Sequence, residues 1–225
     1  MTNLKENVLY SIMNFHDAYI MEFENAFPDY ICDKFIHACE TNEIDHQFML
    51  RRNRVDMSSL HKLKTSVDVP LNISKREQSI LNNVYHELIK EVKIKYANSL
   101  IDKGLDKKPY DEWSYNTADF IKKSLQSDAL IQKSDIGQYY NWHNDWSPRE
   151  DRLLTCILYL NNLEEDAGGK TEFSSGKVIK PQKGKVLIFP STISYVHRGG
   201  VVKKGPKYII ATFSVYNPQL GATYE

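Results

Sequence analysis

The sequence contains little cysteine, no excess of either charge and no long apolar run. Only three of its 225 residues are cysteines, namely Cys32, Cys39 and Cys156. None of them stands in a C-x-x-C pair or beside a histidine at the spacing of zinc ligands. This composition excludes a disulfide-stapled miniprotein, and we predict three buried, reduced thiols of the kind found in cytosolic proteins.

Charge and hydropathy exclude two further classes. The 29 basic side chains balance the 29 acidic ones, whereas a general nucleic-acid binder needs a positive face to displace the counterions of phosphates. No uncharged run approaches the roughly 20 residues that span a bilayer, and the start MTNLKENVLY lacks a basic segment followed by an apolar one. We therefore predict a soluble cytoplasmic protein with neither nucleic acid nor membrane as partner. The sequence leaves the oligomeric state open.

What is present supports one sizeable core. Hydrophobic residues make up 41% of the chain and aromatic residues 12%, and the length is near the upper end of what one globular domain holds. We predict a single domain over residues 1–225, with mainly helical support and N-terminal strands in 1–125 and a jelly-roll catalytic core in 126–217. The fold class is α+β, with the flanking helices packed on one sheet of the roll.

Two helices are predicted in the first half. One begins after Phe27 and Pro28, follows the extended run AYIMEF, and buries a stripe that ends at Cys39. The other begins with a capping box of Ser74 and Glu77. Its predicted buried stripe consists of Ile80, Leu81, Val84, Leu88, Val92 and Tyr96. Residues 43–72 between the helices are polar, and we predict a solvated loop or irregular strand pair there, with a flap over a site as the alternative.

The second half consists of short strand-like runs separated by turn residues. These runs are ALIQ, GQYYNWH, RLLTCILYLN, KTEF, KVIK, GKVLIFP and KYIIATFSVY. Many short strands after a helical segment predict a sandwich or jelly roll.

The segment YNWHND holds a candidate metal site. In a strand, residues two apart point to the same face, so His143 and Asp145 would project an imidazole and a carboxylate together. His197, at the end of FPSTISYVH, would supply a third ligand. Two histidines and one carboxylate are the ligand set of non-haem Fe(II) oxygenases. An H-x-D tripeptide alone is weak, and a surface His-Asp pair is its ordinary explanation.

A lysine in an apolar strand adds weight to this interpretation. Lys207 opens the run KYIIATFSVY, and a buried lysine there costs several kcal/mol unless an anion pairs with it. The far carboxylate of a diacid cosubstrate would be such an anion, while its keto-acid end chelates iron. Tyr159 is a candidate hydroxyl donor to the same carboxylate. The alternative is a strand-end lysine that reaches solvent and a core tyrosine.

Several motifs occur in order over residues 129–216. They are Y-x-x-H-x-D, T-C-I-x-Y-L-N, G-G-x-T-x-F and H-x-G-x-x-V-x-x-G-x-K-Y. Together they resemble the Fe(II)/2-oxoglutarate-dependent prolyl 4-hydroxylases, including the oxygen-sensing animal enzymes and their microbial and viral relatives. The resemblance implies a double-stranded β-helix that holds Fe(II) through His143, Asp145 and His197.

The resemblance also implies the cosubstrate site. Lys207 and Tyr159 would bind the distal carboxylate of 2-oxoglutarate, Tyr140 would line the pocket, and Thr171 would face the cosubstrate, with Phe213 as a candidate wall. O₂ is the second cosubstrate, and ascorbate is a further candidate cofactor. The oxygen-sensing enzymes place an arginine nine residues after the distal histidine, whereas this chain has a lysine at ten. Because arginine offers a bidentate fork and lysine a point charge, cosubstrate affinity does not carry over.

The function implied is hydroxylation of a prolyl residue in a peptide or protein, with formation of succinate and CO₂. A related oxygenase acting on a free amino acid or another small molecule is the first alternative, and a non-catalytic cupin-like metal-binding module is the second. The neutral charge disfavours a nucleic-acid demethylase. Trp142, Trp146 and the arginines at 51, 52 and 54 are candidates for the border of a peptide groove.

Overall fold

The computed structural model describes residues 16–41, 64–71, 76–106, 117–147 and 150–216. In this part of the chain the helices are α1 (Asp29–Thr41), α2 (Arg76–Asp102) and α3 (Thr117–Lys123). The strands are β1 (Met21–Phe23), β2 (Val67–Pro70), β3 (Leu125–Gln126), β4 (Leu130–Ser134), β5 (Tyr140–His143), β6 (Arg152–Tyr159), β7 (Thr171–Phe173), β8 (Val178–Ile179), β9 (Val186–Pro190), β10 (His197–Gly199) and β11 (Lys207–Val215).

The strands form two antiparallel sheets. The larger one has the order β1-β9-β6-β11-β4-β2, with β3 also paired to β11, and the smaller one has the order β5-β10-β7-β8. Neighbouring strands are mostly far apart in sequence, so the chain crosses between the sheets as it does in a jelly roll. The predicted α+β double-stranded β-helix is confirmed.

The helices cover one face of the larger sheet, as predicted. Alternate residues of β6 point to opposite sides of this sheet. Cys156 and Leu158 belong to a buried cluster that includes the inner faces of α1 and α2. Ile157 and Tyr159 belong to a second cluster between the two sheets. The protein therefore has a helix-facing core and an intersheet core, and only the second one adjoins the site described below.

The predicted stripe of α2 is partly wrong. Val92 and Tyr96 are buried, but Ile80 is 54% exposed, and the fully buried side chains upstream are Tyr85 and Ile89. The buried stripe is shifted by about one residue from the predicted one, because the Tyr85 side chain packs in the core. Its hydroxyl lies 2.6 Å from Thr212 Oγ1 on β11, and its ring contacts two buried phenylalanines. Ser74 and the side chain of Glu77, the predicted capping box, lie outside the described residues.

The polar segment 43–72 ends in a strand of the sheet. Residues 42–63, including the three arginines, lie outside the described part of the chain, but β2 pairs with β4 at the edge of the larger sheet. Asp68 is buried in the middle of β2, where its carboxylate pairs with Lys64 and accepts a hydrogen bond from Ser66. Of the two predicted alternatives, the strand pair agrees with this portion and the solvated loop does not.

The three cysteines are buried and free, as predicted. Burial raises the pKa of each thiol to about 11. Of the helices that the structure describes, none has both the length and the apolar composition needed to cross a membrane.

Candidate active site

The two candidate histidine ligands lie side by side on the smaller sheet. His143 ends β5 and His197 begins β10, and the two residues are direct partners in the antiparallel register. The carboxylate of Asp145 lies between them, with Oδ1 at 3.6 Å from His143 Nε2 and Oδ2 at 3.5 Å from His197 Nε2. The three ligand atoms lie within 4.8 Å of one another. This arrangement brings together the two histidines and one carboxylate that the sequence predicts.

Asp145 reaches the site in a different way from the one expected. The sequence interpretation places His143 and Asp145 on one face of a strand, but β5 ends at His143. Asp145 follows beyond the end of the strand, where Thr155 Oγ1 donates a hydrogen bond to its Oδ2 at 2.7 Å. Arg152 donates a second bond, to the backbone oxygen of Asp145, at 3.1 Å. Contacts with β6, rather than strand alternation, therefore orient the carboxylate.

Hydrogen bonds fix the tautomer of both histidines. Nδ1 of His143 lies 2.7 Å from the carbonyl oxygen of Asn141, and Nδ1 of His197 lies 3.0 Å from that of Tyr195. Since a carbonyl only accepts, each Nδ1 carries the proton and each Nε2 presents a lone pair toward the site. Burial, together with the neighbouring His197, lowers the pKa of His143 to about 4. The imidazole is therefore neutral at pH 7, as a metal ligand must be.

A β-bulge brings Tyr140 to the same cavity. His197 pairs with His143 and Gly199 pairs with Tyr140, so three residue steps on β5 match two on β10. The extra residue lets Tyr140 and His143 face the same side although they are three apart. Their rings are stacked, with centroids 3.7 Å apart and planes 10° apart. The structure thus places Tyr140 in the cavity wall, as the sequence predicts.

A cavity of about 530 Å³ opens between the sheets at these residues. Lys207 lines it and is 5% exposed, and none of the described residues forms a hydrogen bond or ion pair with its ammonium group. Burial lowers its pKa to about 8, which leaves the group mostly protonated at pH 7. A cation buried without a partner in the wall of a cavity is a binding group for an anion.

Thr171 and Tyr159 are arranged one behind the other. Thr171 lines the cavity, and its hydroxyl accepts a hydrogen bond from Tyr159 Oη at 2.7 Å. Tyr159 is fully buried behind it, with its ring centroid 5.9 Å from Lys207 Nζ. The structure therefore places Thr171 at the cavity surface and commits the Tyr159 hydroxyl to Thr171. Direct binding of an anion by Tyr159 stays a prediction.

The aromatic candidates divide into two groups. Phe213 lines the cavity, and the guanidinium of Arg152 lies 3.7 Å from the centre of its ring. Trp142 is 41% exposed and lies under Arg198, at 4.8 Å, and Trp146 is 54% exposed. Neither tryptophan lines the cavity, so the structure does not bring them to the site. The arginines at 51, 52 and 54 lie outside the described residues.

Thr155, Asp68 and Gln132 are among the cavity residues that the sequence interpretation missed. Thr155 follows from alternation, because it shares a face of β6 with Ile157 and Tyr159. Asp68 and Gln132 lie on β2 and β4, where both line the cavity and are buried. No sequence signal marks these two as cavity residues, because β2 precedes the motif-bearing region and the pairing of β2 with β4 is a long-range contact.

The family comparison agrees with this geometry. The family model of the 2OG-Fe(II) oxygenase superfamily matches residues 129–215, which contain all three candidate metal ligands and Lys207. Over these residues the chain is similar to the 2OG-Fe(II) oxygenase superfamily. Two imidazole nitrogens and one carboxylate oxygen, without thiolate, suit Fe(II), so the residues present fit the metal that the superfamily uses. A search of the curated proteins found no match.

Solved structures show a similar fold over most of this chain. A viral collagen prolyl hydroxylase from Paramecium Bursaria Chlorella virus-1, in complex with 2-oxoglutarate, has a TM-score of 0.58 at 22% identity, covering 88% of this chain and 97% of that one. A Pseudomonas putida prolyl-4-hydroxylase has a TM-score of 0.57 at 11% identity, covering 93% and 99%. A Trichoplax adhaerens prolyl hydroxylase, in complex with a hypoxia inducible factor peptide, has a TM-score of 0.58 at 14% identity, covering 100% and 97%.

Proposed function

We propose that this protein is an Fe(II)- and 2-oxoglutarate-dependent dioxygenase that hydroxylates a prolyl residue in a peptide or protein. The observation that carries the proposal is one cavity that holds both the His143, Asp145 and His197 group and the unpaired ammonium of Lys207. The superfamily match and the prolyl hydroxylase folds support it. The Trichoplax enzyme was solved with a peptide, which supports a proline-containing chain as the substrate.

The three ligands would hold Fe(II) on one face. With 2-oxoglutarate and O₂, the bound metal supplies oxidative decarboxylation, which yields succinate and CO₂ and places one oxygen atom on the substrate. The Nδ1 hydrogen bonds of both histidines keep each Nε2 aimed at the metal position. Thr155 keeps the carboxylate of Asp145 between them, and Ser191 at 2.8 Å holds the Thr155 hydroxyl in turn.

Lys207 would bind the distal carboxylate of 2-oxoglutarate. Its position on β11, with Thr171 on β7 also lining the cavity, supports a charge-assisted bond to a dicarboxylate. Burial by both sheets excludes water from that bond, which strengthens it. Tyr159 would act through Thr171, whose hydroxyl accepts a hydrogen bond from Tyr159 Oη. Ascorbate binding and a cytoplasmic location stay predictions.

We also propose that the whole chain is one catalytic unit. The N-terminal part, residues 1–125, supplies β1 and β2 to the larger sheet, and β2 contributes Asp68 to the cavity. The jelly-roll part, residues 126–217, supplies the metal ligands and Lys207. Shared strands and a shared cavity support one domain rather than two.

A product screen tests the proposed function. The protein is incubated with Fe(II), 2-oxoglutarate and O₂ and with proline-containing peptides or free amino acids, and the products are analysed by mass spectrometry. We expect a 16 Da gain on a prolyl residue of a peptide, matched by succinate formation. His143→Ala should give neither product. A gain on free amino acids alone, or on a residue other than proline, would overturn the prolyl assignment.

A further inference from the structure

The polar groups of the cavity are almost all engaged with one another. Six polar side chains that line it are at least nine-tenths buried, namely Asp68, Gln132, Thr155, Thr171, His197 and Lys207. Asp68 is paired with Lys64, Thr155 is bonded to Asp145, and Thr171 is bonded to Tyr159. His197 belongs to the metal site. The remaining two, Lys207 and Gln132, have no hydrogen-bond partner anywhere in the described part of the chain.

Lys207 has an assigned role in the proposed function, but Gln132 has none. Gln132 is 9% exposed and lines the cavity from the middle of β4. Its carboxamide has two N–H donors and one acceptor oxygen, and none of the described residues bonds to them, so they are open to the cavity. Native proteins retain such a group mainly where a ligand or an ordered water completes its bonds.

The strand register locates Gln132 beside the cosubstrate end. On β4, Ser134 pairs with Lys207 of β11, and Gln132 pairs with Ile209 one step further along the cavity. On the other side Gln132 pairs with Asp68 of β2. Gln132 thus lines the cavity one cross-strand pair away from the pair that contains Lys207.

The volume leaves room for a second ligand there. 2-Oxoglutarate has ten non-hydrogen atoms, which would take at most about 300 Å³ even if each one needed the roughly 30 Å³ of a liquid water molecule. The cavity measures about 530 Å³. The remainder is large enough for a prolyl residue and an adjoining peptide group.

Charge decides which kind of ligand fits this space. Lys64 is paired with Asp68, Arg152 is paired with Glu150, and Asp128, which also lines the cavity, has an interaction partner as well. Apart from the metal ligands and Lys207, the lining therefore offers no unpaired charge. A zwitterionic amino acid would have to bury its ammonium and carboxylate without partners, which is unfavourable. A residue inside a chain presents only neutral amides.

We propose that Gln132 binds a backbone amide of the substrate and so selects a prolyl residue within a chain over free proline. The carboxamide matches a peptide group in both donor and acceptor. This inference deepens the proposed function and depends on that function only for the identity of the substrate side chain as prolyl.

Binding is measured separately from turnover so that the two proposals can fail independently. The full chain is loaded with Mn(II) and 2-oxoglutarate and titrated with N-acetyl-L-proline N-methylamide and with L-proline. We expect the blocked residue to bind at least about tenfold more tightly than the zwitterion. Gln132→Leu should weaken the blocked residue about threefold to tenfold, the effect of one lost hydrogen bond, and leave the 2-oxoglutarate dissociation constant unchanged.

Two further variants control for folding and for amide chemistry. Gln132→Asn keeps the carboxamide and should retain part of the affinity, and Gln182→Leu, outside the cavity, should change nothing. Tighter or equal binding of L-proline, no binding of the blocked residue, or an unchanged constant in Gln132→Leu would each overturn the inference. Binding of the blocked residue without any 16 Da product would leave the inference standing and overturn the proposed hydroxylation.

Discussion

Replacing Lys207 by methionine should raise the stability of the ligand-free protein. Burial lowers the pKa of Lys207 from 10.5 to about 8, so the folded state binds this proton less tightly than the unfolded state. A difference of this size corresponds to about 3 kcal/mol of destabilisation at pH 7. Methionine has a similar shape without the charge, and we expect Lys207→Met to recover up to that amount.

The sign of the pH dependence follows from the same shift. Below pH 8 the lysine is charged in both states, and the full cost is present. Between about pH 8 and 10.5 the folded state releases the proton while the unfolded state keeps it, so the wild-type protein becomes more stable as pH rises. The advantage of Lys207→Met should therefore shrink across this window.

The same substitution should weaken cosubstrate binding. A charge-assisted hydrogen bond to a carboxylate contributes about 1.5 to 3 kcal/mol, which corresponds to a loss of about 10-fold to 150-fold in affinity. Stability and 2-oxoglutarate affinity are thus expected to change in opposite directions, which general damage to the fold would not produce.

Urea unfolding at pH 7 and at pH 10.5 measures the stability change, and a titration with 2-oxoglutarate measures the affinity. Lys203→Met, which removes an exposed lysine, serves as the control and should change neither quantity. A Lys207→Met protein that is less stable than wild type at pH 7, or that keeps wild-type affinity, would refute the role of Lys207 as an unpaired buried cation that receives the cosubstrate.

Two other predictions concern the metal site and the turn before Thr171. Thr155→Val should weaken Fe(II) binding about 10-fold to 100-fold, because it removes the hydrogen bond that orients the Asp145 carboxylate. Thr212→Val, which changes a buried threonine on the helix-facing side, should leave Fe(II) affinity unchanged. Equal affinities of the two variants in a metal titration would contradict this prediction. Gly168→Ala should destabilise the protein by about 2 kcal/mol or more in thermal unfolding, since φ is +71° and a Cβ would lie 2.1 Å from a backbone oxygen. Gly176→Ala, with φ +94° and open space, should cost only about 1 kcal/mol, and an equal loss in both would show that the contact is irrelevant.

The second half of the chain was predictable because its chemistry is local in sequence. The predicted runs GQYYNWH and KYIIATFSVY contain His143 and Lys207, two of the candidate site residues, within short motifs. The three-residue strand β10 was not predicted as a strand, yet His197 was identified as a candidate ligand from its position at the end of FPSTISYVH.

Long-range contacts account for what the sequence interpretation missed. The bulge that brings Tyr140 against His143 depends on pairing with β10. The inward turn of Tyr85 depends on Thr212, distant in sequence. The engagement of Tyr159 with Thr171 depends on which side chains meet between two sheets. Periodicity gives the face of a strand but not its neighbours across the fold.

The most direct test of the account is succinate formation by the protein with Fe(II) and 2-oxoglutarate, compared between wild type and Asp145→Ala. We expect succinate from the wild type and background levels from Asp145→Ala, because that carboxylate lies between both histidine nitrogens. Asp102→Ala, an exposed position at the end of α2, should retain wild-type turnover. Undiminished succinate formation in Asp145→Ala, or none in the wild type, would contradict the assignment of this cavity as an Fe(II)/2-oxoglutarate site.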